Sequence, residues 1–249
     1  MKKIKTMASR IGVGVIGCGT IADNAHLPSL YKLPDSKLVA VADKEEDRAR
    51  KMAEKYGVEA WYTDYHDLLK RHDLHAVSIC TPPHTHAEIA VDAAESKKHI
   101  LCEKPMALNL SDADAMIEAA ERNNVRLMAS FPFRFDPSFQ QLNKLVQRGV
   151  IGKPFMVNAV FGNKGPGSYS DFYWDPEKGG GVILDIGVHH VDLLRWLVGE
   201  VSEVSSIDWK SKGDLAVEDN AILSLTFENG ALGTLLLSWT YPVVACRVE

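Results

Sequence analysis

A run of β-branched residues breaking into glycines constrains this chain more than any other stretch. Val13-Gly14-Val15-Ile16 suits a buried strand and runs straight into Gly17-Cys18-Gly19-Thr20-Ile21-Ala22, after which a helical pattern begins at Ile21. In a G-x-G-x-x-A turn of this kind Gly17 permits the tight reversal, Gly19 lets the backbone approach a pyrophosphate, and the small Ala22 lets the new helix pack on the strand. The amides at the helix start, from Thr20 on, then face the phosphates, where the helix dipole favours negative charge.

The glycine pattern alone is equally a tight turn; its surroundings raise it. A second strand, Lys37 to Asp43, ends in an acid 21 residues after Ala22, about where a ribose 2′-hydroxyl needs an acceptor. Asp43 is also placed to cap a helix starting near Glu45, and both roles can hold at once. An acid here favours NAD by repelling a 2′-phosphate, whereas Lys44 beside it softens that repulsion and keeps NADP open.

The 249 residues allow one large domain or two modest ones. A net charge of −5 gives no reason to expect nucleic acid or an anionic membrane as partner. The basic start, Met1-Lys2-Lys3-Ile4-Lys5, leads into no apolar run of signal length, and no stretch approaches the ~18 apolar residues of a membrane span. Cys18, Cys80, Cys102 and Cys246 are scattered, three of them on or beside predicted buried strands. They read as small core hydrophobes in a reducing cytoplasm.

Strands and helices alternate to about residue 130, with helices expected over 21–33, 45–56, 64–71, 85–97 and 111–124. Ser111-Asp112-Ala113-Asp114 resembles a capping box for the last of these. This rhythm implies right-handed βαβ units and a doubly wound α/β parallel sheet. Ligands of such sheets lie outside the carboxyl ends of the strands. There the chain places the glycine loop, Asp43, Thr81-Pro82-Pro83-His84-Thr85-His86, Glu103-Lys104-Pro105 and Phe131-Pro132-Phe133-Arg134-Phe135. From Asp136-Pro137, a helix N-cap and N1, the grammar changes to one helix, a strand from Pro154 to Phe161, an aromatic loop reaching Trp174, and a helix over 182–198. Asn229-Gly230 then joins two strand-like runs as a hairpin. The second part, 132–249, is expected to be an α+β domain with a mainly antiparallel open sheet, following a dinucleotide-binding domain over 1–131.

On a regular helical wheel, Asp185, His189 and Asp192 form a polar stripe on the otherwise apolar helix 182–198, with His190 on its apolar face. Burying carboxylates is costly unless something pairs with them, so the stripe faces a cavity, an ion or a partner charge. A structural Asp–His hydrogen bond, a metal site and an acid/base histidine oriented by a carboxylate all remain open. No third ligand stands at a recognisable metal spacing. His84 and His86 read as donors from their loop to phosphate or backbone.

Gly17-x-Gly19-x-x-Ala22, Thr81-Pro82-Pro83 followed by His86, Glu103-Lys104-Pro105, and Gly179-Gly180-Gly181 leading to Asp185-x-x-x-His189 together resemble the glucose–fructose oxidoreductase / inositol dehydrogenase / rhizopine-catabolism (Gfo/Idh/MocA) family. The resemblance runs from about residue 10 to the end. It implies a Rossmann domain, a second domain whose open sheet serves as an oligomer interface, and NAD(P)-dependent oxidation of a carbinol on a sugar, cyclitol or related molecule. It implies a catalytic set of Lys104, Asp185 and His189, and a cofactor lined by Gly17, Gly19, Thr20, Ile21, Ala22, Asp43, Lys44, Thr81, Pro82, His86, Glu103 and Lys104. It also allows a cis peptide before Pro105. In these roles His189 takes the hydroxyl proton, the Lys104 ammonium stabilises the oxyanion, Asp185 orients His189 or binds a substrate hydroxyl, and Glu103 holds Lys104.

Two departures stand out. Relatives commonly run well beyond 300 residues, so the last sheet strands and following helices of the family are expected to be absent, leaving an apolar edge that invites pairing. Phe133-Arg134-Phe135 offers one arginine where many relatives show two. A non-catalytic dinucleotide sensor and a redox-neutral NAD-dependent glycoside-cleaving enzyme are the competing functions. The aromatic loop from Tyr169 to Trp174 reads either as a sugar-stacking surface or as a packed flap.

Overall fold

Strand β1 (Ile11–Ile16) is buried from its second residue onward, as a strand covered on both faces must be. Around it lies a six-stranded sheet of order β3-β2-β1-β4-β5-β6, built with β2 (Ser36–Ala42), β3 (Ala60–Tyr62), β4 (Ala76–Ile79), β5 (His99–Cys102) and β6 (Leu127–Ala129). Every neighbouring pair is parallel. The order reverses between β1 and β4, which makes their carboxyl ends the switch point of the sheet. The computed structural model describes residues 10–167 and 171–249, and the chain divides into two units, Met1–Ser130 and Phe131–Glu249.

The helices of the first unit follow their sequence signals with two exceptions. Helix α1 (Leu27–Lys32) is preceded by a π-helical turn, Ala22–His26. Helix α2 (Glu46–Tyr56) stops at Gly57, whose φ of 65° gives the left-handed cap that glycine adopts freely. Helices α3 (Tyr65–Leu69) and α4 (His86–Glu95) cover the sheet. Helix α5 (Leu110–Arg122) is capped by Asn109, whose side chain accepts the Asp112 N–H, rather than by the Ser111 expected from the capping-box pattern. An asparagine one residue outside the helix competes well for that position.

The second unit opens with α6 (Pro137–Gln147), capped by Asp136, whose carboxylate accepts the Ser138 and Phe139 amides. Its sheet has the order β11-β7-β10-β9-β8, from β7 (Met156–Gly162), β8 (Val201–Trp209), β9 (Asn220–Phe227), β10 (Leu232–Ser238) and β11 (Ala245–Val248). Only β7 and β10 pair in parallel; the other three pairs are antiparallel. The β9–β10 hairpin turns at Gly230, with a φ of 84°. Alternation sends Val157, Leu223, Leu225, Leu235 and Leu237 to a buried face, which packs with Val182, Ile186 and Leu194. The opposite face stays open, with Met156 54 %, Leu232 52 % and Ile207 78 % exposed.

Among the described residues, no helix is long and apolar enough to cross a membrane.

Candidate active site

The carboxyl ends of β1, β2, β4 and β5 bring most of the expected cofactor residues to one edge of the first unit. Gly17 has a φ of +92°, and a Cβ there would stand 2.7 Å from the backbone of Cys80. Only glycine allows the loops after β1 and β4 to approach so closely. A Cβ on Gly19, by contrast, would meet nothing within 4 Å. The first hydrogen bond of the following helix runs from Asp23 N–H to Gly19 O, so the amides of Thr20, Ile21 and Ala22 precede any intrahelical donor. Open space over a glycine, flanked by orphan amides at a helix start, fits a diphosphate.

Asp43 does more than end its strand. Its Oδ2 accepts the Cys18 N–H at 2.8 Å and its Oδ1 accepts the Glu45 N–H at 2.9 Å. The carboxylate therefore braces the glycine loop and the start of α2 together, and its remaining lone pairs stay available to a ribose hydroxyl. Lys44 is exposed beside it. Thr81 and Pro82 are half-buried, and Thr85 Oγ1 donates to Pro82 O at 2.8 Å.

His86, expected along the cofactor, is fully buried. Its Nδ1 lies 2.9 Å from Pro105 O and its Nε2 2.8 Å from Thr81 O, so the ring bridges the loops after β4 and β5. Burial pushes its pKa down and favours the neutral ring, which donates to one carbonyl at a time. The Lys104–Pro105 peptide is cis.

Glu103 is 8 % exposed. Its Oε1 lies 2.7 Å from His26 Nε2, and its Oε2 accepts the Lys104 N–H at 3.1 Å. Burial would raise this carboxyl, but hydrogen bonds from His26, Ser130 and the Lys104 amide outweigh it and hold the group below its ordinary value. Three cysteines, Cys18, Cys80 and Cys102, are buried and free. Burial pushes Cys18 and Cys102 up to about 12, which leaves them inert as nucleophiles.

In the second unit, the run Gly179-Gly180-Gly181 has a steric reason at each position. Gly179 turns with a φ of 87°. A Cβ on Gly180 would stand 2.5 Å from Tyr173 O, and one on Gly181 2.4 Å from the Glu218 carboxylate. Glu218 accepts the Val182 N–H on its backbone oxygen and the Ile183 N–H on Oε1. It caps the helix that carries Asp185 and His189.

That helix is not regular. Ile183–Gly187 forms a π-helical turn, closed by the Val188 N–H on Ile183 O, before α7 (Val188–Leu197). The wider turn breaks the 100° phase on which the polar stripe was drawn. Asp185 and His189 are half-buried. The Phe131 and Phe133 rings lie 6.2 Å and 5.3 Å from the His189 ring.

Asp192 belongs to a different arrangement. It is buried, and Arg134 Nε and Nη2 each donate to one of its oxygens at 2.8 Å. This gives the single arginine of Phe133-Arg134-Phe135 a bidentate partner. His190 is a core histidine: fully buried, it donates from Nδ1 to Ile186 O at 3.0 Å. The flap reading of the aromatic loop finds support in Tyr173 and Trp174, whose rings pack edge-on against Trp239. Tyr169 lies outside the described residues.

Sequence reasoning missed His26, Ser78 and Glu218. Ser78 was hidden inside an apolar run, and His26 in a mixed polar segment without a motif. Glu218 stands 35 positions from the amide it caps. A polar residue interrupting a buried strand, as Ser78 does, was the one signal on offer.

A family model described as "Oxidoreductase family, NAD-binding Rossmann fold" matches residues 11–131, and one described as "GFO/IDH/MocA C-terminal domain" matches residues 139–249. The chain belongs to the Gfo/Idh/MocA oxidoreductase family. Its first unit is the family's NAD-binding Rossmann domain. Among family members, a myo-inositol 2-dehydrogenase of Thermotoga maritima is 38 % identical over 228 residues, covering 90 % of this chain and 67 % of the relative. A levoglucosan dehydrogenase solved with NADH superposes with a TM-score of 0.86 at 28 % identity, over 97 % of this chain and 70 % of that one. GenD2 from gentamicin A biosynthesis, solved with NAD, gives 0.90 at 27 % identity, over 97 % and 69 %. This Gfo/Idh/MocA chain thus spans about two-thirds of the length of the relatives it matches.

Proposed function

We propose that this protein is an NAD-dependent dehydrogenase of a carbinol on a sugar, cyclitol or related polyol. One observation carries the reading. The glycine turn open at Gly19, the Asp43 carboxylate and the Glu103-Lys104-Pro105 turn all stand at the carboxyl edge of one parallel sheet, where a dinucleotide and a reacting carbinol bind in such folds.

The nicotinamide, when bound, supplies the hydride acceptor. The chain's own residues do the rest. Lys104 holds an ammonium against the oxygen on which negative charge develops, the kind of preorganised help worth a few kcal/mol. His189 takes the hydroxyl proton on a ring nitrogen, and Asp185 orients it or binds a neighbouring hydroxyl. A panel of inositols, aldoses and amino sugars, followed by NADH absorbance, tests the reading. Silence across the panel with dinucleotide bound would favour a sensor, and sugar release without net NADH a glycoside-cleaving enzyme.

Asp43 makes NAD the preferred cofactor. We expect kcat/KM at least ~10-fold higher with NAD than with NADP, from repulsion between the carboxylate and a 2′-phosphate. Equal values would remove Asp43 from the selection.

The open sheet face supports a homo-oligomer. Leu232 pairs with Met156, and Ile222 with Ile207, which leaves apolar pairs on one open face; exposed apolar surface of this kind is where contacts form. Light scattering at micromolar concentration is expected to give at least twice the chain mass, and Ile207→Lys to shift it toward the monomer. A monomer before substitution would remove this assignment.

A further inference from the structure

Three polar side chains meet inside the first unit where apolar ones would be expected. His26, Ser78 and Glu103 are 8 %, 1 % and 8 % exposed. His26 Nδ1 lies 2.7 Å from Ser78 Oγ, and Nε2 lies 2.7 Å from Glu103 Oε1. The carboxylate is ionised and can only accept, so Nε2 carries a proton and donates it. At Nδ1 the ring and the Ser78 hydroxyl can each donate to the other, so the contact is satisfied whichever of them holds the proton. The direction of donation is fixed at the Glu103 end, where the carboxylate accepts from His26. At its far end Glu103 accepts the Lys104 N–H at 3.1 Å.

Apolar residues of similar volume often replace a buried polar cluster without loss of stability. They would supply no acceptor for the Lys104 amide. His26 also ends the π-helical turn Ala22–His26 that follows the glycine loop. A regular α-helix from Thr20 would carry residue 26 to a different azimuth, away from this partner.

We propose that His26 is a positioning residue: by holding Glu103 it fixes the Lys104 turn, and so ties the helix that opens at the glycine loop to the oxyanion-binding lysine. This inference rests on the reading of Lys104 given above. Ser78 steadies the imidazole from the other side. Neither His26 nor Ser78 touches substrate or dinucleotide in this scheme.

The test compares His26→Leu, which fills the volume without a donor, with His26→Gln, which restores a donor toward Glu103. Hydrogen–deuterium exchange of the Lys104 amide reads the network without any turnover. For His26→Leu we expect that exchange to rise about tenfold or more, kcat to fall by a similar factor, and KM and the NADH dissociation constant to stay within about threefold. His26→Gln is expected to recover most of both losses. Lys104 exchange and kcat unchanged in a folded His26→Leu protein would overturn the proposal, as would equal damage from Leu and Gln. Should His26→Leu not fold, Ser78→Ala decides: faster Lys104 exchange supports the network, and unchanged exchange overturns it. If the wild-type protein turns over no polyol, the functional reading fails while the exchange measurement still decides the network.

Discussion

Lys104→Ala is expected to bind NADH within about threefold of the wild-type protein and to turn over at least ~10² more slowly. The lysine contributes an ammonium that matters only once charge develops on the substrate oxygen, so its removal spares the ground state. KM for the polyol should move little. A second substitution sharpens the test. If Lys104 and His189 serve one transition state, Lys104→Ala with His189→Ala costs about as much as the worse single change, because groups that act as a unit are strongly non-additive. Independent, multiplying losses would place the two groups in separate roles. Turnover retained in Lys104→Ala would end the lysine's assignment.

The second large effect separates two glycines of one loop. Gly17→Ala forces a side chain into a φ of +92° and a Cβ to within 2.7 Å of the Cys80 backbone. We expect it to lower stability by about 2–5 kcal/mol, from the left-handed conformation and the overpacking together. Gly19→Ala meets no protein atom within 4 Å, so the denaturation midpoint should not move. The added methyl instead takes space over the orphan amides, and NADH affinity should drop at least ~10-fold if the diphosphate sits there. Urea denaturation and fluorescence titration measure the two effects separately. A Gly19→Ala protein that binds NADH normally would take the diphosphate out of this loop.

What was legible in the chain was local. The strand into Gly17, the acid at Asp43, the Asp136-Pro137 helix start and the Asn229-Gly230 turn each announce themselves within a few residues, and the structure has all four. Partners far apart in the chain were not. Arg134 and Asp192 are separated by 58 positions, and His26 and Glu103 by 77; no periodicity reports such pairings. Of the polar stripe Asp185–His189–Asp192, Asp192 has the partner charge that a buried carboxylate needs, in Arg134. A wheel at ~100° per residue assumes a regular helix, and the turn over Ile183–Gly187 is wider. That turn shifts Asp185 relative to His189, whereas His189 and Asp192 share the regular helix α7. His86, expected to donate to phosphate or backbone, has no exposed surface and contacts the backbone carbonyls of Thr81 and Pro105.

Two helices here each hold one residue more than an even spiral would place in the same span, at Ala22–His26 and at Ile183–Gly187. Wound instead as an ordinary α-helix with every residue kept, either segment would complete its turns sooner. Everything downstream would then swing by about a quarter of a revolution. His26 would turn away from Glu103 in one case, and His189 away from the Phe131 and Phe133 rings in the other. In these two places the wider turn absorbs the extra residue, and an even coil of the same count would disarm what the helix carries.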